Sequence, residues 1–309
     1  MTTQPHPDPL RVAAIRFLNP APLMWDFEHE PQKSALATRY HLEWMLPAQC
    51  ADRLALPIDH PDAADLGLIP IATLATTPGL RIVPGPASPA GSPAQPGCAI
   101  ASKGHIRSLI LVRRASQPLT AIRTIAADTS SRATLAYTQI LFHLWQNTTA
   151  QFVQHPPDLD QMLEAADAAI LIGDPALYAL DERQNREERT GEELIYLDLA
   201  EEWIKQTGEP WISAVWAVRE STLTTHSLEE IAHDLTTSKA SGLANIESLV
   251  DEWHRKLTLP VGTIRNYLSS NIYYHLDADC LRGMQTFFQL AAKYKILPPY
   301  KLNLDQLAP

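Results

Sequence analysis

The chain has 309 residues, of which 45% are hydrophobic, and its formal net charge is −10 at pH 7. This length and apolar content predict a globular protein with one large domain or two ordinary ones. The negative charge, with no run of Lys or Arg, disfavours nucleic acid and anionic membranes as partners. The cysteines Cys50, Cys98 and Cys280 are widely spaced without a C-x-x-C pair, so neither a disulfide framework nor a zinc site is expected.

The first ten residues, "MTTQPHPDPL", are polar and rich in proline. They show neither the cationic region nor the apolar region of a secretory signal. The apolar runs elsewhere are shorter than the roughly 18 to 20 residues that span a bilayer. We therefore expect a cytoplasmic protein without a membrane partner.

Short apolar runs in the first part of the chain predict strands. They lie at residues 10–18, 40–46, 80–85, 98–102 and 107–114. Residues 65–75 predict a short strand followed by a turn or a helix start at Pro70. The first run stops at Asn19-Pro20, which places Asn19 at the carboxyl end of a buried strand. Residues 86–97, rich in Pro, Ala, Gly and Ser, predict a surface loop or low-complexity insertion. The last two runs flank Lys103-Gly104 and predict a pair of strands around a tight turn. The second run is long enough to connect two lobes of the protein.

The middle of the chain predicts a second α/β unit. Strands are expected at 122–127, 150–155, 167–177 and 209–219, with helices from about 132 to 145 and from about 156 to 165. The charged run at 181–193 is interpreted as a solvated loop or helix face. From residue 222 onward the pattern is helical, with a capping box at Ser227 and Glu230 and an aspartate cap before the last helix. This alternation predicts an α/β fold with mainly parallel sheets.

Ligands of such sheets bind outside the carboxyl ends of the strands, where helix N-termini present free N–H groups. The stretch "DTSSRAT" (128–134) is a strand-to-helix turn of this kind. Thr129, Ser130 and Ser131 add hydroxyl donors suited to a carboxylate or phosphate. When this stretch is considered by itself, an ordinary Ser/Thr helix cap remains an alternative interpretation.

Three further stretches carry polar groups at strand ends. In "ILIGDPAL", Gly173 permits close backbone approach, and Asp174 precedes a proline, as in a first helical turn. Taken alone, Asp174 fits a helix cap. Arg107 and Ser108 follow the Lys103-Gly104 turn, and Asn19 offers both a donor and an acceptor.

Several motifs of cofactor chemistry are missing from the sequence. It contains no G-x-G-x-x-G after a strand, no P-loop, no H-E-x-x-H and no G-x-S-x-G. Redox and nucleotide chemistry that depends on a cofactor is therefore disfavoured.

Taken in order, these stretches resemble the chorismate dehydratase family, which acts in menaquinone biosynthesis by the futalosine pathway. The resemblance runs from about residue 10 to about residue 302. It rests on "RVAAIRFLNPAPL", "DLGLIPIATL", "GLRIVPG", "GHIRSLILV", "DTSSRAT", "PPDLDQMLEAADAAILIGDPAL", "DLAEEWIKQTGEPWISAVWAVR" and "YLSSNIYYHL". The most specific parts are "TSSR" and the stretch from "PPDLD" to "ADAAILIGDPAL".

The resemblance implies the fold of type II periplasmic binding proteins, with two α/β lobes, two crossing strands and a ligand cleft between the lobes. The first lobe would combine residues 1–112 and 215–309, and the second would span 113–214. The implied substrate is chorismate, a dicarboxylate, which loses water to give 3-[(1-carboxyvinyl)oxy]benzoate. Aromatisation drives this reaction, so the family needs neither a metal nor a redox cofactor.

The resemblance also implies roles for particular residues. Asn19 and Ser108 would be catalytic, and the substrate would be bound by Arg107, Thr129, Ser130, Ser131, Gly173 and Asp174. The chain departs from the family at Ala13, where relatives usually have glycine, and at Gly104-His105-Ile106 in place of Gly-Pro-Val. His105 adds a titratable group close to Ser108.

The same fold serves transport receptors, transcription regulators and another enzyme of menaquinone biosynthesis, so fold alone does not choose among them. The first strand begins at about residue 10, which leaves no room for an N-terminal DNA-binding domain. A non-catalytic cytosolic binding protein for a small dicarboxylate is the alternative that stays open. The sequence leaves the oligomeric state open as well.

Overall fold

The computed structural model describes residues 8–87, 95–127, 132–146 and 149–303. In these ranges the strands are, in chain order, β1 (Leu10–Ile15), β2 (Tyr40–Met45), β3 (Leu66–Pro70), β4 (Leu80–Ile82), β5 (Gly97–Ser102), β6 (Leu109–Arg114), β7 (Thr124–Ala127), β8 (Gln151–Gln154), β9 (Ala168–Ile172), β10 (Leu194–Asp198), β11 (Trp211–Arg219) and β12 (Tyr273–Leu276). The α-helices are α1 (Trp25–Glu28), α2 (Gln32–Leu36), α3 (Pro47–Ala55), α4 (Arg132–Gln146), α5 (Leu159–Ala165), α6 (Asp174–Asp181), α7 (Arg183–Thr190), α8 (Leu199–Thr207), α9 (Leu228–Ala244), α10 (Ile246–Leu257), α11 (Val261–Asn266) and α12 (Ala278–Lys293). A π-helical turn, Tyr267–Asn271, follows α11. None of the described helices combines the length and the apolar character needed to span a bilayer.

The strands form two sheets, and helices pack on both. The larger sheet has the order β12-β5-β11-β3-β1-β2, with β4 also paired to β11, and the smaller has the order β10-β6-β9-β7-β8. We call the larger sheet with its helices the first lobe and the smaller sheet with its helices the second lobe. The predicted α/β class and two-lobed fold are therefore confirmed.

Both sheets are mixed, which corrects the expectation of mainly parallel sheets. In the larger sheet β1 runs parallel to β2 and β3, but β11 runs antiparallel to β3, β4 and β5. In the smaller sheet β7 runs parallel to β8 and β9, but β6 runs antiparallel to β9 and β10. A strand that is buried on both faces is a continuous apolar run in either direction, so its sequence does not show which way it pairs.

The chain passes between the lobes at two places, and neither is a strand. One is the loop between Ser102 and Leu109, and the other runs from Asp198 through α8 to Trp211. β5 and β6 lie in different sheets, so they do not form the predicted pair of strands. The predicted lobe limits, 112–113 and 214–215, fall inside β6 and β11, each of which belongs to a single sheet. The exact domain division stays a prediction.

One local prediction fails and three are confirmed after residue 180. β12 lies in the region that was expected to be wholly helical. The charged run forms the largely exposed helix α7, as one of its two interpretations predicted. The Ser227 side chain accepts a hydrogen bond from the Glu230 N–H, and Asp277 caps α12 in the same way. Isolated four-residue strands such as β12 carry too little periodicity to be recognised from sequence.

A buried aromatic cluster joins the lobes where the chain crosses. Tyr137 of α4 stacks on Trp211 of β11 with ring centroids 3.8 Å apart, and Phe287 of α12 lies 4.3 Å from Tyr137. Trp203 of α8 contacts the same tyrosine edge-on at 4.7 Å. All four rings are fully buried. Because aromatic pairs of this kind add to the energy of burial, the cluster fixes the lobes to each other beside the cleft.

Candidate functional site

The predicted residues from the two lobes meet around one small cavity. Asn19 follows β1, Ser108 precedes β6, and Gly173 follows β9, and all three line the cavity. Ile15, Pro70 and Ala214 of the first lobe face Leu109 and Ile172 of the second lobe across it. The site is therefore a cleft between the lobes, at strand ends, as the fold predicts.

Asn19 presents an unpaired acceptor to this cleft. The neighbouring Leu18 is fully buried and anchors the turn after β1. The Oδ1 atom of Asn19 is buried and has no hydrogen-bond partner among the described residues. Buried polar atoms without a partner are rare and costly, so this oxygen is suited to a donor on a ligand.

Ser108 is held in place by the loop that crosses between the lobes. The backbone N–H groups of Ile106 and Arg107 donate to the Asp198 carboxylate at 3.0 and 2.7 Å. The other oxygen of Asp198 accepts from the first turn of α8, so one side chain holds both crossings. Burial raises the pKa of Asp198, although these backbone N–H groups favour its charged form.

Two contacts connect Ser108 to the rest of the site. Its carbonyl accepts a hydrogen bond of 2.7 Å from the Gly173 N–H, which places the two predicted residues side by side. Its side chain interacts with the hydroxyl of Tyr267, a fully buried residue of the π-helical turn. Burial raises the pKa of Tyr267 well above its usual range, and the Ser108 interaction opposes that rise. Tyr267 is therefore a neutral partner that orients Ser108.

Gly173 and Asp174 form the contact from the second lobe to the turn after β1. Gly173 adopts φ +70°, and a Cβ atom there would lie 2.8 Å from the Phe17 ring. Asp174 accepts a hydrogen bond of 3.1 Å from the Leu18 N–H. It is not the helix cap considered from sequence, because Gly173 holds the cap position and Asp174 is the first residue of α6.

The cavity between the lobes has a volume of about 30 Å³. That space holds a water molecule or two, whereas pockets for organic ligands usually measure roughly 300 to 1,000 Å³. Larger depressions lie elsewhere on the surface, such as one of about 470 Å³ next to Tyr40. The structure therefore represents closed lobes, and an organic ligand requires the lobes to separate.

Arg107 lies apart from the cleft. Its backbone has φ 65° and its side chain is exposed. The residue lines a separate depression of about 400 Å³ together with Leu177, Thr263 and Asn266. Asp198 holds the Arg107 backbone N–H, and Arg107 is not among the residues that line the cavity of Asn19 and Ser108. Its predicted contact with substrate remains a prediction that this arrangement does not support.

Thr129, Ser130 and Ser131 lie outside the described residues, so their predicted role stays a prediction. Immediately after them, Arg132 begins α4 and pairs with Asp52 of α3 in the first lobe. Tyr178 of α6 donates to the carbonyl of Leu257. Polar contacts thus accompany the aromatic cluster in holding the lobes together.

Some residues of the site had no signal in the sequence. Thr134 of α4 and Ser213 of β11 line the cavity, and Tyr267 and Asp198 support Ser108. Ser213 lies within an apolar strand where a single hydroxyl carries no motif. Only the pairing of distant segments brings these residues to the cleft.

The described residues contain no group of three or more His, Cys, Asp or Glu side chains placed to hold a metal ion. Cys50, Cys98 and Cys280 are free and buried. Burial raises the pKa of Cys50 to about 12 and that of Cys98 to about 11. These two thiols therefore stay protonated at neutral pH.

Solved structures with the same fold support the two-lobed description. The protein AF1704 from Archaeoglobus fulgidus has a TM-score of 0.66 at 14% identity, over 93% of this chain and 98% of that chain. The Candida albicans CA3427 gene product, described as having the generic periplasmic binding protein fold, has a TM-score of 0.61 at 11% identity, over 97% and 95%. The alkanesulfonate-binding protein SsuA from Xanthomonas axonopodis pv. citri, bound to MOPS, has a TM-score of 0.62 at 12% identity, over 96% of both chains. At such low identity these likenesses show the fold alone.

A comparison of the sequence with protein families identifies a closer relationship. Residues 94–293 match the family VitK2_biosynth, whose description is menaquinone biosynthesis. The matched region includes Ser108, Gly173 and Asp174, and the crossing segments that support them. Since this match covers more than half of the chain, the protein belongs to the menaquinone biosynthesis family.

Proposed function

We propose that this protein is a chorismate dehydratase, a hydro-lyase that converts chorismate to 3-[(1-carboxyvinyl)oxy]benzoate and water. The reaction would serve menaquinone biosynthesis by the futalosine pathway. One observation carries the proposal. In a member of this family, Ser108 and the unpartnered oxygen of Asn19 line the same cleft.

The cleft suits an elimination in which the protein mainly positions the substrate. The enolpyruvyl carboxylate of the substrate takes the ring proton, and the C–H electron pair becomes a ring double bond. The neighbouring C–O bond breaks, and the proton taken up by the carboxylate passes to the departing hydroxide, which leaves as water. Asn19 and Ser108 orient the carboxylate and the hydroxyl in this step, so the bound geometry supplies much of the rate.

Asp174 is the one carboxylate among the residues predicted for the site. Its carboxylate is engaged by the Leu18 N–H, and it is absent from the residues that line the cavity. This arrangement favours a structural role for Asp174, in which it holds the second lobe to the turn after β1. It supports the assignment of proton removal to the substrate itself.

The alternative is a non-catalytic binding protein for a small dicarboxylate, because the same fold occurs in the alkanesulfonate-binding protein. Both functions need the lobes to open and close around an anion. They differ only in whether the bound molecule changes. The cytoplasmic location predicted from the sequence belongs to the proposal in either case.

The decisive experiment is to incubate the purified, chelator-treated protein with chorismate and to identify the products by liquid chromatography and mass spectrometry. The expected result is the dehydrated aromatic product. Recovery of intact chorismate, with binding detected by calorimetry, would instead indicate the binding protein.

The positioning mechanism has its own test in Asn19. Asn19→Asp is expected to lose turnover while still binding substrate, because a carboxylate keeps the acceptor oxygen of the amide and lacks its N–H donors. Unchanged turnover in Asn19→Ala would contradict the mechanism.

A further inference from the structure

Strand β11 contains an irregularity beside the cleft. Ile212 is paired with Ala101 of β5, and Ala214 is paired with Ile100, the very next residue of that strand. Ser213 is therefore the extra residue of a β-bulge. Bulges bend a strand and redirect a side chain, and they are frequent next to active sites. Here the bulged residue lines the cavity that Asn19 and Ser108 also line.

The hydroxyl of Ser213 has a fixed neighbour on its other side. The indole N–H of Trp211 donates to Ser213 Oγ at 2.8 Å. Trp211 is fully buried in the aromatic cluster, so this donor does not move. One lone pair of Ser213 is thus occupied, and its proton is directed elsewhere.

In the described ranges that proton has no acceptor, because the Trp211 bond is the only hydrogen bond of the Ser213 hydroxyl. The same cavity contains the opposite case, since the Asn19 oxygen is an acceptor without a donor. Polar groups of protein interiors are nearly always paired. A ligand that offers one donor and one acceptor would satisfy both.

We propose that Ser213 is a substrate-binding residue that donates its hydroxyl proton to a carboxylate oxygen of the ligand. A hydroxyl that already accepts from an N–H is polarised and becomes a better donor. Such a donor bonds most strongly to an anionic oxygen. The identity of the ligand rests on the proposed function, whereas the unpaired donor does not.

The test is Ser213→Ala, with the affinity for 3-[(1-carboxyvinyl)oxy]benzoate measured by calorimetry and the steady-state kinetics measured with chorismate. The lost bond is made in both the ground state and the transition state. Kd and KM should therefore rise about tenfold or more, with kcat changed less than about twofold. Unchanged Kd and KM would overturn the proposal.

Ser102→Ala is the matched control. Ser102 is buried on β5 directly opposite Trp211, and its hydroxyl donates to the Gly104 carbonyl at 3.0 Å. It does not line the cavity. This variant should lose some stability and keep Kd and KM.

Two further variants separate the hydroxyl from its support. Trp211→Phe keeps the hydroxyl and removes the N–H that orients it, so a smaller rise in Kd than in Ser213→Ala is expected. Ser213→Cys preserves the size of the side chain with a weaker donor, and it replaces the alanine variant if that protein does not fold.

The two monomethyl esters of the product identify the acceptor. Ser213→Ala should weaken binding of the diacid. It should not weaken binding of the monoester in which the methyl group blocks the carboxylate that Ser213 contacts. Equal weakening for both esters and the diacid would overturn the assignment to a carboxylate. If the wild-type protein binds the diacid without dehydrating chorismate, the proposed function fails while the Kd comparison still decides the role of Ser213.

Discussion

The Asp174 carboxylate of the second lobe accepts a hydrogen bond of 3.1 Å from the Leu18 N–H of the first lobe. Burial raises the pKa of Asp174 to about 6, and this single N–H only partly offsets the cost of a buried charge. The contact that closes the lobes beside Asn19 therefore includes a carboxylate that titrates slightly below neutral pH.

Asp174→Asn should change how stability depends on pH. The pKa of Asp174 is about 6 in the folded protein and near 3.8 when unfolded, so the folded state binds the proton more tightly. The contribution of protonated Asp174 to the unfolding free energy is fully present below about pH 4. It is lost as pH rises through 6, and the loss is at most about 3 kcal/mol. The asparagine side chain still offers an oxygen to the Leu18 N–H, and it has no proton to gain or lose in this pH range. We expect the variant to match the wild type at pH 4 and to exceed its unfolding free energy at pH 7.5 in urea titrations.

Asp181→Asn is the control for this comparison, since Asp181 ends the same helix α6 and is exposed. It removes the same charge without a lobe contact. An equal pH response in both variants would contradict the assignment to the Asp174–Leu18 contact.

Gly173→Ala should impair both stability and ligand binding. The left-handed φ of +70° disfavours any side chain, and the new Cβ would lie 2.8 Å from the Phe17 ring of the other lobe. Gly208→Ala has a similar φ of +73° with nothing within 4 Å of the added carbon. The left-handed conformation alone costs roughly 1 to 2 kcal/mol, which is the loss expected for Gly208→Ala. Gly173→Ala should lose more in thermal unfolding, and equal losses would show that the Phe17 contact is unimportant.

Tyr267→Phe should reduce turnover through Ser108. The substitution removes the hydroxyl group with which the Ser108 side chain interacts. A lost polar interaction of this kind costs about 1 kcal/mol of stability, and a misdirected Ser108 should lower kcat/KM by roughly tenfold. Kinetics and urea unfolding measure the two effects separately.

Tyr274→Phe is the matched control for this substitution. Tyr274 is also fully buried, but its hydroxyl has no partner among the described residues. Removing an unpaired buried hydroxyl should be neutral or stabilising and should leave turnover unchanged. Equal loss of activity in both variants would contradict the specific role of Tyr267.

Asn19→Ala should separate activity from stability. The Asn19 oxygen is buried without a partner, so the free protein does not gain from it. We expect an unfolding free energy that is equal or slightly higher, together with a loss of turnover on the order of a hundredfold. A large loss of stability would indicate that Asn19 supports the fold and that its oxygen is not reserved for a ligand.

Residues at strand ends were accessible to sequence reasoning. The apolar run of β1 stops at Asn19-Pro20, and the run of β9 stops at Gly173-Asp174, where Pro175 marks the first turn of α6. The structure brings Asn19 and Gly173 to the same cavity. The family resemblance placed Ser108 with them. Local signals were sufficient because each of these residues lies where a periodic segment ends.

One wrong detail, one prediction that the structure does not support and one missed residue have the same origin, which is pairing between distant segments. The direction of β11 and β6 depends on which strands they pair with, and a buried apolar run is compatible with either direction. Arg107 lies at a separate depression, and the Asp198 carboxylate that holds its backbone N–H is far along the chain. Ser213 faces the cleft because of a bulge that exists only in the pairing of β11 with β5.

The sequence by itself determined the α/β class, the main strand ends and the family, because periodicity, turn residues and motifs are local properties of the chain. The tertiary structure decided strand direction, the closure of the lobes and the membership of Ser213 and Tyr267 in the site. These features arise from pairing and burial between segments that are distant in sequence. No local pattern of residues encodes such contacts, so they become visible only when the segments are packed together.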